Sequence, residues 1–384
     1  MQAIHVVAGL GRLEGGPSNT LPKLWSHLKT QGVDVSAFTT VTGREKPSEL
    51  PAIRDGIVLN KTRRIFPRRF KFSPELGQML RREMPKADLC HNHGCWLHPN
   101  WLAARVARSC KKPLIISPLG HLDPWSLERH AWAKKILRLL VEERHWFYAS
   151  AFVAKSEVEA ENLRHLGLKQ TIRVIPNGID VEDWKKPVSS ELFFERFPEL
   201  LNHQLALFLS RLHPKKGIIS LLKTWEKVSA RHPDWCLVLA GGGDEVYVRK
   251  LRHWVDNSGC AGQVAFVGEL DWFLKRAVFV AASFFVLPSH SENFGQVILE
   301  SLASGTPVIA SRGCPWPELE KRGCGWWMEN TEAALEHALE TSIGCPPVEL
   351  RAMGARGREW ALRDFDWKQI AGRMRDLYQE VLGH

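Results

Sequence analysis

An α/β protein of two doubly wound parallel-sheet domains facing a central cleft is predicted by three observations. Strand-like apolar runs alternate with helical periods from one end of the chain to the other. The runs are short and apolar throughout, as strands buried on both faces are. A polar, Pro-bearing stretch at residues 182–202 divides the alternation into two series. At 384 residues the chain has length for two domains of ordinary size, each with its own core.

In the first series, residues 4–8, 33–38, 88–91, 114–117, 152–154 and 172–175 read as strands. Helical patterns at 21–30, 99–109 and 125–147 fall between them. After the turn Pro176-Asn177-Gly178, residues 182–202 read as the linker. The second series has strands at 205–209, 236–240, 264–267, 284–287 and 308–310. We therefore place the domains at 1–183 and 184–366, with a last helix at 367–384 packing back on the first. No repeat of 20–50 residues and no low-complexity tract interrupts this order.

Composition excludes several classes. Hydrophobic residues at 44% and charged residues at 24% are those of an ordinary globular chain. No apolar run reaches the length of a membrane span, and the start, MQAIHVVAGL, reads as a first strand rather than a secretory leader. The eight cysteines show no CxxC pairing, which favours reduced thiols and a cytoplasmic setting. The net charge of +10 is uneven: residues 1–190 carry 30 Lys+Arg against 18 Asp+Glu, the remainder 22 against 24. The excess concentrates at 61–71, KTRRIFPRRFK, and at 131–146, AWAKKILRLLVEERHW. Basic residues beside Phe66, Phe70 and Phe72 favour an anionic membrane surface, at roughly 1 kcal/mol per charge. No nucleic-acid-binding pattern accompanies them.

The most informative stretch is 284–307, FFVLPSHSENFGQVILESLASGTP. An apolar strand ends at Pro288, a polar turn leads to Glu292, and helical spacing runs from Phe294 until Gly305 and Pro307 stop it. Open α/β sheets bind ligands at the carboxyl ends of such strands. Glu292 and Glu300 lie eight residues apart, about 12 Å along a helix. Two carboxylates so spaced can grip both ends of an elongated, hydroxyl-rich ligand, with the amides near Asn293, Phe294 and Gly295 aimed at an anion between them. Directly after the first strand of the second series, SRLHPKKG (210–217) places Arg211 and Lys216 where an anion meets a helix start.

This Glu-x7-Glu unit, followed by ASGTPVIAS, resembles the signature of the retaining glycosyltransferases of family GT4, which have the GT-B fold of two Rossmann-like domains. The resemblance covers nearly the whole chain and is most specific from Ser210 to Trp327. It implies a nucleoside-diphosphate-sugar donor and a hydroxyl acceptor, with no metal or other cofactor. Glu292 would hold the donor sugar, Glu300 the ribose, and Arg211 with Lys216 the diphosphate. Gly241 in AGGGDE and Gly16 in GLGRLEGGPSN would border the donor. Val267 and Leu270 in FVGEL would border the base, whose identity side chains do not reveal. His93 and Trp96, in a stretch like the HG-x-W of polysaccharide glycosyltransferases, would line the acceptor side. Leu119 stands where many relatives carry a His; His121, two residues later, is the candidate substitute. RGCPWPELEKRGCGWW (312–327), with Glu318 and Glu320 in a turn, resembles exopolysaccharide transferases.

Three other motifs are set aside. The G-x-G-x-x-x-G of residues 9–15 departs from a dinucleotide fingerprint, and Asp34 falls at the wrong end of its strand to hold a ribose. The cluster Cys90, His91, His93, Cys95, His98 lacks the paired spacing of a zinc site. Asp364-Phe365-Asp366 precedes a helix and reads as a cap rather than a metal pair. The expected biology is polysaccharide assembly on a lipid-linked or saccharide acceptor, in the cytoplasm or at the inner face of the plasma membrane. Two rivals are an NAD(P)-binding oxidoreductase and a non-catalytic sugar-nucleotide sensor.

Overall fold

The computed structural model describes residues 1–11, 15–42, 57–66, 70–128 and 142–383. They form two compact units, Met1–Gly178 with Trp367–His384, and Ile179–Asp366. The first holds a seven-stranded parallel sheet: β1 (Gln2–Val7), β2 (Asp34–Val41), β3 (Val58–Arg63), β4 (Leu89–His93), β5 (Leu114–Ser117), β6 (Ala151–Ala154) and β7 (Thr171–Val174), in the order β3-β2-β1-β4-β5-β6-β7. The second holds six: β8 (Gln204–Leu209), β9 (Trp235–Ala240), β10 (Val264–Gly268), β11 (Phe284–Leu287), β12 (Val308–Ser311) and β13 (Gly325–Met328), in the order β10-β9-β8-β11-β12-β13. Every pairing is parallel. In each sheet the order reverses at the centre, between β1 and β4 and between β8 and β11, which is where doubly wound sheets bind ligands.

The first sheet carries a core on each face, as its continuous apolar strands require. The helices Gly16–Thr30 and Trp367–Leu382 close one face, burying Trp25, Trp367 and Tyr378. The last helix thus belongs to the first unit. Two strands are absent from the sequence reading. β3, VLNKTR, is an edge strand that buries only Thr62, so no apolar run marks it. β13, GWWM, opens on Gly325, where a side chain would collide with the backbone of Val308.

The stretch 182–202 is not a free linker. It folds into short helices, Val181–Lys185 and Glu191–Arg196, and buries Trp184, Phe193 and Leu200 in the second core. Spaced apolar anchors in a polar stretch are enough for this, and the polar average conceals them. The helix read at 125–147 is seen as Pro124–Glu128 and Glu143–Tyr148; its middle lies outside the described residues. Asp34 is the exposed first residue of β2, at the end away from the ligand-binding edge. All eight cysteines are free. No helix among the described residues is long and apolar enough to cross a membrane.

His5, His91 and His93 are buried together in the first sheet. Tyr378 Oη lies 2.6 Å from His91 Nδ1 and 3.2 Å from His5 Nε2, and the Trp25 indole donates to His5 Nδ1 at 2.9 Å, so the cluster clasps both covering helices. Burial holds all three imidazoles well below the usual range, His5 at about 3. An unfolded imidazole titrates near 6.5, so below that pH the unfolded chain binds protons that the fold refuses, and stability falls. Glu159, pushed up to about 7 by burial, opposes this with one proton between its unfolded and folded values. From pH 6.5 to pH 5 the unfolding free energy is expected to drop in denaturant titrations. A flat profile over that range would contradict the neutral cluster.

Candidate functional site

In the second unit the site is built at the carboxyl ends of β8 and β11. The chain leaves β8 through Arg211, makes a single 3-10 turn at Pro214–Lys216, and enters the helix Ile218–Ser229 at Gly217. Gly217 has φ +70° and packs so closely that a side chain there would strike the Pro288 carbonyl oxygen at the end of β11. Only glycine meets both demands. The His290 amide donates to the Lys215 carbonyl at 2.9 Å, locking the two loops edge to edge.

That contact brings together residues 76 positions apart: Lys216 Nζ pairs with Glu292 Oε1. The two side chains are only 14% and 12% exposed. Ser289 Oγ donates to the same carboxylate oxygen at 2.7 Å, and the Glu292 amide donates to the Gly313 carbonyl at 2.7 Å. The carboxylate is therefore fixed in direction, with Oε2 free of hydrogen bonds to the described residues. Arg211 is exposed at the strand end and makes no ion pair among the described residues.

Beyond Glu292 the helix Gln296–Ser304 starts at Gly295, at φ +78°, with no side-chain cap. The Ile298 amide turns back to the Gly295 carbonyl at 2.8 Å, and no side chain caps the helix start, which carries the positive end of the helix dipole. Phe294 is buried against Trp316, whose indole N–H donates to the Phe294 carbonyl, and Asn293 Oδ1 is buried without a partner. Further along the helix, Glu300 Oε1 accepts from Lys275 Nζ at 3.0 Å. Lys275 comes from the helix Trp272–Ala281 and also lies 5.2 Å from the centre of the Trp272 ring. Gly241, after β9, has φ +127°, and a side chain there would strike the Ser210 carbonyl. Beside it a cavity of about 370 Å³ opens at the ends of β8, β9 and β10. Phe266, Gly268 and Glu269 line it; Val267 and Leu270, the residues read from the sequence, pack partly buried against the core instead.

In the first unit, Gly16 is the exposed first residue of its helix, after Gly15 at φ +80°. His121 Nδ1 accepts from the Cys95 amide at 3.0 Å, and the Trp96 indole donates to the His121 carbonyl at 3.0 Å, so Trp96 and His121 form one ensemble. Two buried carboxylates brace it. Glu142 accepts from the Trp96 amide at 2.6 Å and the Trp101 indole at 2.7 Å; Glu159 accepts from the Gly120 and Lys155 amides, both at 2.7 Å. Leu119 sits at φ +58°, a conformation leucine rarely adopts. His93 departs from the expectation of an acceptor-lining side chain: it is 2% exposed and packed on His5 and His91, because it continues the inward alternation of β4.

Glu318 begins a short helix, Glu318–Lys321, rather than an open turn. Asp364 ends the helix Pro347–Asp364 and is held low by the adjacent Arg363. The sequence reading missed Lys275, Ser289 and Gly313. Ser289 and Gly313 lie within the stretches 284–307 and 312–327 and Lys275 outside both, but each matters only through a partner that loop geometry or helix packing brings to it.

Two family models match the chain: "Glycosyl transferases group 1" over residues 190–360 and "Glycosyltransferase Family 4" over 15–183. The D-inositol 3-phosphate glycosyltransferase of Corynebacterium glutamicum is 26% identical over 96% of this chain and 93% of its own. The GDP-mannose-dependent alpha-(1-6)-phosphatidylinositol monomannoside mannosyltransferase of Mycolicibacterium smegmatis is 28% identical over 55% of this chain and 57% of its own. Among solved structures, sucrose-phosphate synthase from Thermosynechococcus elongatus superimposes with a TM-score of 0.81 over the whole of both chains, at 23% identity. The chain belongs to the family 4 glycosyltransferases, enzymes built from two Rossmann-like domains in the GT-B manner.

Proposed function

We propose that this glycosyltransferase is a retaining enzyme that moves a sugar from a nucleoside diphosphate to a hydroxyl of a lipid-linked saccharide during surface polysaccharide assembly. The observation that carries the proposal is the Lys216–Glu292 pair beside the uncapped start of the helix Gln296–Ser304. Departure of a nucleoside diphosphate develops negative charge on the pyrophosphate. Lys216, Arg211 and the amides after Gly295 supply preorganised positive potential for it. In this reading they do the work that a metal ion does elsewhere, and none is required.

Glu292 orients the hexose with Oε2 and tethers Lys216 with Oε1. Glu300 accepts from the ribose hydroxyls, steadied by Lys275. The resemblance to the retaining members of family 4 implies that attack and departure proceed on one face of the sugar, which preserves the anomeric configuration. Within the first unit, Trp96 serves the acceptor, and His121 is the candidate for the imidazole near the reacting centre. The lipid-linked acceptor draws support from the name of the M. smegmatis relative, and from Phe66 and Phe70, 88% and 41% exposed among the basic residues. Binding to anionic over neutral liposomes at moderate salt is expected, and equal binding to both removes the membrane part of the proposal.

The test of the core is transfer itself. Purified protein given a panel of UDP-, GDP- and ADP-sugars should transfer from one of them, or hydrolyse it slowly without acceptor. NMR of the product should show the donor's anomeric configuration. Donor binding with neither transfer nor hydrolysis would mark a sensor, and an inverted product would remove the retaining assignment.

A further inference from the structure

A second cavity, of about 180 Å³, lies within the second unit at the far end of the helix Gln296–Ser304 from Gly295. Two arginines line it, Arg276 from the helix Trp272–Ala281 and Arg358 from the helix Pro347–Asp364. Arg276 is buried, with its guanidinium 5.5 and 5.7 Å from the centres of the Trp184 and Trp272 rings, and donates to the Lys186 carbonyl. Arg358 donates to the Ala303 carbonyl and, at 2.8 Å, to the Trp184 carbonyl. These bonds fix both side chains yet occupy only part of each guanidinium's five donors.

Neither guanidinium has an ion-pair partner among the described residues, and no carboxylate among them lines the cavity. Asp183 attracts Arg276 from a distance but is itself paired with Lys186 Nζ at 2.7 Å. Burial, and for Arg276 the neighbouring Arg358 charge as well, holds both side chains below their ordinary range. Two like charges facing one half-buried space without a counterion are an unfavourable arrangement that an anion relieves.

We infer that this cavity binds the phosphate group of a small phosphomonoester, at a site separate from the donor diphosphate. Guanidinium forks match phosphate oxygens in pairs. Ser304 Oγ donates to the Glu300 carbonyl at 3.0 Å, which leaves recognition to the arginines. Val188 and Val280 offer apolar walls to a short carbon chain, and the volume is too small for a nucleotide. The site stands independently of the transfer reaction, since none of its lining residues holds the donor in the reading above.

Calorimetric titration of the full-length protein with glycerol 3-phosphate and with succinate, at constant ionic strength, tests this. Glycerol 3-phosphate should bind with sub-millimolar affinity and more tightly than succinate. Lys216→Ala removes the cation assigned to the donor diphosphate and should leave that affinity unchanged. Arg358→Gln should weaken it at least ~10-fold. That variant also loses two bonds to backbone carbonyls, so Val280→Trp provides a second arm: Val280 is 45% exposed, and an indole there fills the cavity with both arginines retained. Its affinity should again fall at least ~10-fold, in a protein whose circular dichroism is that of the parent. No binding to the parent, binding lost in Lys216→Ala, or binding unchanged in Val280→Trp overturns the site. Succinate bound as tightly as glycerol 3-phosphate overturns the phosphate assignment.

Discussion

Alanine at Glu292 is expected to lower turnover by roughly two to three orders of magnitude while donor affinity changes far less. In the proposed mechanism the carboxylate performs two tasks that the substitution removes together. Oε1 fixes the direction of Lys216, with Ser289 as a second anchor on the same oxygen. Oε2 is the acceptor left for a sugar hydroxyl. With the tether gone, the ammonium still attracts a pyrophosphate, so the ground-state complex survives. What disappears is the placement of positive charge and of the sugar at the moment the glycosidic bond lengthens. Initial rates over a range of donor concentrations separate these effects. A loss confined to KM would contradict the assignment.

Alanine at Glu300 should give the opposite pattern: donor affinity falls ~10–100-fold, as expected for the net loss of about one charge-assisted hydrogen bond to ribose, and kcat falls much less. The same change strands Lys275, whose side chain is only 21% exposed. The variant should therefore also lose the discrimination between a ribose and a 2′-deoxyribose nucleotide. A Glu300→Ala enzyme that binds donor normally would show that the carboxylate serves only to hold the two helices together. The two glutamates, eight residues apart, are thus expected to fail in distinguishable ways.

Much of this was legible in the sequence because it is local. The strand, turn and helix around Glu292 announce themselves by an apolar run, a proline and a period of 3.6, and the partner lysine sits in its own loop after β8. What was hidden depends on contacts distant in sequence. Gly217 had to be glycine because of Pro288, and Lys275 finds Glu300 only once two helices pack. His93 looked like a site residue because His-Gly before Trp is suggestive, yet its position on an inward face of β4 buries it. The edge strand β3 and the helices within 182–202 escaped because each buries too few apolar side chains to shape the average composition.

The central claim is that the donor pyrophosphate is held by Lys216 and the start of the helix Gln296–Ser304. A crystal structure of the protein with a nucleoside diphosphate measures this directly. Both phosphates should lie within hydrogen-bonding distance of Lys216 Nζ and the amides following Gly295, with the ribose hydroxyls on Glu300. Phosphates bound elsewhere, with Lys216 engaged by Glu292 alone, would contradict the account.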